Sequence, residues 1–264
     1  MVKMKNYLVT TLGLLFFSCL NNSTSTIGDS SSFNGGNQSD QINFSNCNKE
    51  YTSKELDSIY LRTIDLMYND IDRELFFREI EDNKRLLICN DHEGSLLLFG
   101  RDYYLGEVGN LSLDSSKILF FRIINSEEFG AEARFYLAEI HLNEKKYDKV
   151  SENFEELVKS DYLPGIIEYA YLKITGHGYY FNREISHKKM LDSERGVNLL
   201  TYAANIGDVE AQIELGRMYF YGEHGIEVNV DSSRKYLKMA IENDDIWGIS
   251  GASDNVNEVL DKID

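Results

Sequence analysis

One stretch of eleven residues occurs twice in this chain. Residues 99–109 read FGRDYYLGEVG and residues 215–225 read LGRMYFYGEHG, with six identical residues at the same offsets. The shared glycines follow apolar runs with helical spacing, which is where glycines end a helix, whereas a phosphate-binding loop opens one. The duplication therefore indicates a structural unit that is repeated along the chain.

A common frame extends the duplication to four units. In each unit a small residue is followed five positions later by a second small residue, and six positions after that by a glycine or its replacement. The frame positions are Ser95, Gly100 and Gly106; Ala133, Ala138 and Glu144; Gly165, Ala170 and Gly176; and Ala211, Gly216 and Gly222. The units start 38, 32 and 46 residues apart, and periods of this size are typical of stacked supersecondary units.

Each unit is predicted to contain two helices. In the fourth unit Asp208 is placed to cap a helix that ends at Gly222, and a second helix is expected from Val230 to Ile241. Glycine inside a helix costs about 1 kcal/mol relative to alanine. Its presence at Gly100 and Gly216 therefore predicts a close approach between the two helices of a unit, for which small residues are needed.

These patterns resemble a known family. The units follow Ala-x-x-x-Leu-Gly-x-x-Tyr-x-x-Gly-x-x-Gly and then Asp-x-x-Arg-Gly-x-x-Leu-Leu-x-x-Ala-Ala-x-x-Gly, which is similar to the Sel-one-like repeat (SLR), a relative of the tetratricopeptide repeat. The resemblance implies an all-α solenoid of antiparallel helix pairs that acts as a non-catalytic protein-interaction scaffold at the bacterial cell envelope. Departures from the pattern are Lys173, Asn229 and Lys235, and residues 131–161 look more like a plain tetratricopeptide unit.

The N-terminus has the pattern of an export signal. Basic residues precede a short apolar stretch within residues 1–18, too short to span a bilayer, and Ser18-Cys19 follows. This end resembles the lipobox of bacterial lipoproteins and implies lipidation of Cys19, although Phe16 stands where Leu is usual. Signal cleavage a few residues later, which would remove Cys19, is the alternative. We expect an exported, membrane-anchored protein facing the periplasm or the cell surface, with membrane contact only through the lipid.

The remaining chain divides into four predicted segments. Residues 19–50, rich in Ser, Asn and Gly, read as a flexible tether. They are followed by N-terminal capping helices at 51–90, the four repeats at 91–245 and a C-terminal capping helix at 246–264. If Cys19 carries lipid, Cys47 and Cys89 remain as a disulfide candidate in an oxidising compartment, with two free thiols as the alternative.

The net charge and the absence of catalytic and nucleotide-binding motifs exclude several classes of function. Forty-four acidic and 27 basic side chains give a net charge of −17, which repels nucleic acid and favours a basic protein partner. The sequence contains no HExxH, GxSxG, CxxC, phosphate-loop or dinucleotide motif, and its five histidines form no i+3 or i+4 pair. We therefore predict no catalytic residues, no metal site and no cofactor. The alternatives are an immunity-type inhibitor that neutralises a secreted effector and, with less support, an envelope hydrolase.

One segment interrupts the repeat pattern. Unit three contains an extra stretch, GYYFNREISHKKM at residues 178–190, which brings basic and aromatic side chains together in an acidic chain. Insertions in repeat proteins emerge on one face, often the binding face, and Tyr with Arg is typical of interface hot spots. The candidate partner-binding residues are Tyr179, Tyr180, Phe181, Arg183, Lys188 and Lys189. The alternative is a longer loop whose aromatic rings only cover the edge of the solenoid.

Overall fold

In a computed structural model the chain divides into two compact parts, Met1–Thr52 and Ser53–Asp264. The structure describes residues 51–68, 73–106, 111–179, 190–247 and 252–263. Outside these ranges lie the predicted export signal, Cys19, Cys47 and the tether up to residue 50. Five residues of the predicted binding loop also lie outside them: Tyr180, Phe181, Arg183, Lys188 and Lys189.

The described residues of the second part form eleven α-helices. They are α1 Ser53–Tyr68, α2 Arg73–Cys89, α3 Glu93–Leu105, α4 Leu113–Ile123, α5 Gly130–Asn143, α6 Tyr147–Lys159, α7 Leu163–Thr175, α8 Ser193–Asn205, α9 Val209–Tyr221, α10 Val230–Trp247 and α11 Ala252–Ile263. Successive helices pack on one another, and the contacts are most extensive within α3–α4, α5–α6, α7–α8 and α9–α10. The predicted all-α solenoid of helix pairs is confirmed.

The pairs stack in chain order. We call the first helix of each pair the A helix (α3, α5, α7 and α9) and the second the B helix (α4, α6, α8 and α10). Each B helix also packs on the A helix of the next unit, and α3 touches α5 directly. The A helices therefore form one layer of the stack. The α1–α2 pair precedes unit one, and α11 follows α10.

Capping residues set the ends of the helices. Asp208 begins α9 as predicted, because its carboxylate accepts a hydrogen bond of 2.8 Å from the N–H of Ala211. Three A helices end at residues in the left-handed region, which glycine adopts without strain. These residues are Gly106, Gly176 and Gly222, with φ of 73°, 74° and 71°.

The second small residue of the frame lies against the B helix of its own unit. A β-carbon on Gly216 would come within 2.5 Å of Leu237 Cδ2 in α10, and one on Gly100 within 2.5 Å of Phe120 Cε1 in α4. Both distances are shorter than any carbon contact allows. The backbone of each A helix therefore touches a side chain of its B helix directly.

The first small residue packs in the opposite direction. A β-carbon on Gly165 would lie 2.7 Å from Leu157 Cδ1, in the B helix of the preceding unit. The other small residues of the frame are buried as well: Ser95, Ala133, Ala138, Ala170 and Ala211. The first frame position, at Gly165, thus faces the B helix of the preceding unit, and the second, at Gly216, faces the B helix of its own unit. An A helix is packed between these two B helices.

Two helix boundaries differ from the predicted ones. α10 continues to Trp247 and does not stop near Ile241, because residues 230–247 contain no glycine or proline that would end the helix. The terminal helix starts at Ala252, later than the predicted boundary at residue 246. Residues 242–247, most of them polar, therefore extend the last B helix.

The predicted disulfide concerns the end of α2. This helix ends at Cys89, which is disulfide-bonded. Cys47, the predicted partner, lies outside the described residues. The Cys47–Cys89 pairing therefore stays a prediction.

Candidate functional site

The predicted binding loop is described only at its two ends. The ring of Tyr179 packs on the ring of Tyr171 in α7, with 4.7 Å between the ring centroids. At the other end Met190 is buried, and its sulfur accepts a hydrogen bond from Ser151 Oγ in α6 at 3.4 Å. Both ends of the loop are thus fixed on unit two and unit three.

Tyr171 and Tyr179 lie in an electronegative environment. Burial raises the pKa of both hydroxyls above the usual tyrosine value, and nearby carboxylates of α9 raise it further. The carboxylates acting on both rings are Asp208, Glu210 and Glu214. Carboxylates attract positive charge, and so does the face of an aromatic ring. The negative potential beside these two rings therefore favours the binding of a cation.

The carboxylates of α9 differ in exposure. Burial raises the pKa of Asp208, an effect that its hydrogen bond from the N–H of Ala211 opposes. Burial also raises the pKa of Glu214, while Arg217 on the next turn lowers it. Glu210, one turn before Glu214, is exposed. The first turns of α9 therefore present negative charge beside the tyrosine pair.

Equivalent positions on the other A helices extend this surface. We define the A-layer face as the residues two before and one after the second small residue of each A helix. They are Leu98 and Arg101, Tyr136 and Glu139, Glu168 and Tyr171, and Glu214 and Arg217. Glu139 and Glu168 are fully buried, and Glu168 adds to the negative potential at Tyr179.

Contacts between α3 and α5 show how this face is held together. Arg101 Nη1 lies 3.7 Å from the carboxylate of Glu132, and its guanidinium lies 5.9 Å from the ring centroid of Tyr136. Burial raises the pKa of Glu132, and Arg101 lowers it. Sequence reasoning missed this face, although its signal is readable: acidic residues recur beside the small residues of the frame.

A serine, a histidine and a carboxylate come together near the start of α3. His92 Nδ1 lies 2.7 Å from Ser95 Oγ, and His92 Nε2 lies 3.2 Å from Asp57 Oδ1 of α1. The order resembles a hydrolase triad. Ser95 is fully buried, however, and its own N–H also donates to His92 Nδ1 at 3.2 Å. His92 therefore caps α3, and Ser95 is closed to any substrate.

An open cleft of about 450 Å³ lies beside this cap. Tyr60 of α1 forms part of its wall, and burial raises the pKa of this hydroxyl to about 12. Two of the lining carboxylates contact the end of α4 and the turn after it: Asp91 pairs with Arg122, and Glu93 accepts a hydrogen bond from Ser126 Oγ at 2.7 Å. These contacts give the acidic residues of the cleft a structural role.

The tyrosines of the duplicated stretch also have structural roles. The ammonium of Lys84 lies 4.3 Å from the ring centroid of Tyr103. Tyr219 stacks on Tyr236 of α10, with ring centroids 5.9 Å apart. Tyr221 differs, because it is 49% exposed. The first two rings pack between helices.

The other described histidines are not part of a metal-binding group. Within the described ranges no three His, Cys, Asp or Glu side chains are grouped so as to hold a metal ion. His141 is buried, which lowers its pKa, and Asn153 Nδ2 donates to its Nδ1 at 3.2 Å.

Among the helices that the structure describes, none is both long and apolar enough to cross a membrane.

Comparisons with known proteins agree with this fold. Residues 209–245 match the model of the Sel1 repeat family. A Sel1 repeat protein from Oxalobacter formigenes has a similar structure, with a TM-score of 0.50 and 15% identity, over 72% of this chain and 69% of that one.

A protective antigen of uropathogenic Escherichia coli with an SLR fold also matches, with a TM-score of 0.45 and 16% identity, over 67% of this chain and 34% of that one. This chain thus spans about a third of the length of that antigen. No curated protein sequence matches. The chain is therefore similar to Sel1 repeat proteins, in sequence over residues 209–245 and in fold over most of its length.

Proposed function

We propose that this protein is a non-catalytic scaffold whose A-layer face binds a cationic segment of a partner protein. The observation that carries the proposal is the pair Tyr171 and Tyr179 beside the carboxylates of α9. The Sel1 repeat fold commonly serves protein–protein interaction. Solenoids bind through extended surfaces that successive units present together.

Charge supports a basic partner. The net charge of −17 attracts a basic protein at long range and accelerates its capture. Acidic residues also dominate locally, since Glu210 and Glu214 face the tyrosine pair while Arg217 is the one arginine of α9. A lysine or arginine of the partner would gain both carboxylate and aromatic contacts here.

The test removes the charge of α9 without reversing it. We expect Glu210→Gln with Glu214→Gln to abolish salt-sensitive capture of a basic protein from an envelope extract, identified by mass spectrometry. The matched control is Glu152→Gln with Glu156→Gln, which removes the same charge from exposed positions of α6. Equal capture by both double variants, or capture that high salt does not weaken, would contradict the proposal.

We further propose that the scaffold is exported and held at a membrane by a lipid on Cys19. The support is the order of charged, apolar and Ser-Cys residues at the N-terminus, followed by a Ser- and Asn-rich stretch. Cys19→Ala should move the protein from the detergent phase to the aqueous phase on partitioning. Retention of the variant in the detergent phase would exclude Cys19 as the anchor.

A second candidate function is that of an immunity-type inhibitor. The carboxylates of α9 and the proposed anchor suit the capture of a basic effector as it enters the envelope. This role predicts that the purified protein inhibits the enzyme activity of its captured partner, whereas a scaffold leaves that activity unchanged. A hydrolase function is not proposed, because Ser95 is fully buried.

A further inference from the structure

A large apolar side chain is exposed at the same register of three units. Leu111, Leu191 and Val228 are 63%, 46% and 62% exposed. The residue after each of them donates its N–H to a carbonyl near the end of the A helix. These bonds run from Ser112 to Tyr103 at 2.9 Å, from Asp192 to Lys173 at 2.9 Å and from Asn229 to Tyr219 at 2.8 Å. The three apolar residues therefore occupy equivalent, fixed backbone positions.

The start of each B helix does not cover these side chains. An apolar residue before a helix cap ordinarily packs on the fourth residue of the helix. Here that residue is Ser116, Gly196 or Ser233, and all three are buried. A β-carbon on Gly196 would lie 2.8 Å from the carbonyl oxygen of Ala170, so the A helix already occupies this space. In units one and four the apolar side chain packs instead on the glycine that ends the A helix, since a β-carbon on Gly106 would lie 3.3 Å from Leu111 Cβ. Much of each side chain still stays exposed, which leaves it available to a partner.

Unit four carries the largest exposed group of this kind. Tyr221 and Val230 are 49% and 40% exposed. Val230 lies two residues after Val228, and Tyr221 is the last residue of α9, next to Gly222. A β-carbon on Gly222 would lie 2.8 Å from Val228 Cγ2, which places Val228 against the end of α9. We call residues 221–231, with these three side chains, the fourth-unit turn.

The backbone of the fourth-unit turn is held in one conformation. The N–H of Gly222 donates to the carbonyl of Met218 at 3.0 Å, and the N–H of Ile226 donates to that of Glu223 at 3.0 Å. Asn229 Oδ1 accepts from the N–H of Ser232 at 2.9 Å. A surface that is ordered before binding loses less conformational entropy when a partner docks.

The charges around this turn indicate what it binds. Residues 221–231 contain no lysine or arginine. Glu223 and Glu227 are exposed, and neither forms an ion pair within the part of the chain that the structure describes. In unit two the equivalent of Val228 is Lys145, so the apolar register is broken there. In unit three the equivalent residue is Leu191, which keeps the apolar register.

We propose that the fourth-unit turn is a second docking surface. Its occupant is a partner segment that carries apolar side chains next to lysine or arginine. The apolar side chains would cover Tyr221 and Val228, and the cations would pair with Glu223 and Glu227. A second copy of this chain does not fit, because two chains of net charge −17 repel each other.

The test uses a short fluorescent peptide that alternates Leu and Lys, with binding to the full chain followed by anisotropy. We expect Val228→Ser with Val230→Ser to weaken binding about tenfold, since apolar contact with two valines is lost. Glu223→Gln with Glu227→Gln should weaken binding at low salt and have little effect at high salt. Peptides with Ser for Leu, or with Glu for Lys, should both bind poorly.

Matched variants separate this surface from the rest of the molecule. Leu61→Ser with Ile206→Ser removes apolar side chains that are 65% and 50% exposed elsewhere, and should bind the peptide as the unchanged protein does. An equal loss of peptide binding in this control would show nonspecific hydrophobic binding and would overturn the proposal. If peptide binding is lost only in the Glu210→Gln and Glu214→Gln double variant, and not in the variants of the fourth-unit turn, the peptide binds at the A-layer face. That result would support the proposed function and overturn the second surface.

Discussion

Units two and four build the same helix pair with different residues. In unit four α9 ends at Gly222, which adopts φ of 71°. In unit two Glu144 takes this frame position in the right-handed region with φ of −78°, and Lys145 adopts φ of 57° instead. The left-handed residue is thus displaced by one position when glycine is absent, and a short turn leads directly into α6.

The contact between the two helices differs as well. In unit four a glycine, Gly216, receives the side chain of Leu237. In unit two the second small residue is Ala138, and two aromatic rings meet between the helices: Phe135 of α5 lies edge-on to Phe154 of α6, with ring centroids 6.4 Å apart. Different side chains therefore fill the space between the helices. This difference agrees with the family match, which covers 209–245 only.

The largest expected effect comes from filling the glycine contact of unit four. Gly216→Val should destabilise the fold by about 3 kcal/mol, because the added carbons overlap Leu237. Urea unfolding followed by circular dichroism measures the loss, and the fluorescence of Trp247, the single tryptophan, reports on α10. Lys238→Val, at an exposed position of α10, should cost less than about 1 kcal/mol. Equal losses would mean that the contact at Gly216 is unimportant.

A smaller, opposite pair of effects is expected at the ends of the A helices. Gly222→Ala should destabilise by about 1–2 kcal/mol, because alanine is strained in the left-handed region. Lys145→Gly should stabilise by up to about 1 kcal/mol, since it relieves the same strain in unit two. Thermal unfolding of both variants checks the signs. Stabilisation by Gly222→Ala would contradict the comparison.

Much of the fold could be predicted from the sequence because the repeat makes each unit evidence for the others. Gly100 and Gly216 predict a close helix contact, and Asp208 predicts a helix start, from local rules alone. The length of α10 was missed, since the polar residues after Ile241 resemble a cap and nothing local shows that the helix continues to Trp247.

The candidate surfaces were harder to predict. The sequence marks the insertion as a break in the repeat and predicts Tyr179 as a partner-binding residue, which stays a prediction. Glu214 and Tyr171 come together only because α7 and α9 are neighbours in the stacked layer, which no single unit specifies. The exposure of Leu191 likewise depends on the A helix that occupies the space beside Gly196. Such surfaces follow from stacking, so they become visible when the units are placed side by side.

The smallest of these effects concerns Glu144, the residue that replaces glycine in unit two. Hydrogen bonds from Lys117 and then Lys146 lower the pKa of this carboxyl from 4.5 to about 2. Its stabilising contribution is therefore present above pH 4.5 and is lost as the pH falls toward 2. The pair with Lys117 joins α4 to the end of α5, at 2.5 Å between Nζ and Oε1.

We expect Glu144→Gln to lower the free energy of unfolding by about 1 kcal/mol at neutral pH, the value for a pair with partial solvent access. The difference from the unchanged protein should shrink between pH 4.5 and 2, because the carboxyl is then neutral in both states. Glu152→Gln, which removes an exposed pair with Lys149 on one helix, should have a smaller effect at every pH. A difference that stays constant down to pH 2 would show that charge at Glu144 does not stabilise the unit, and unit two would then depend on its aromatic packing alone.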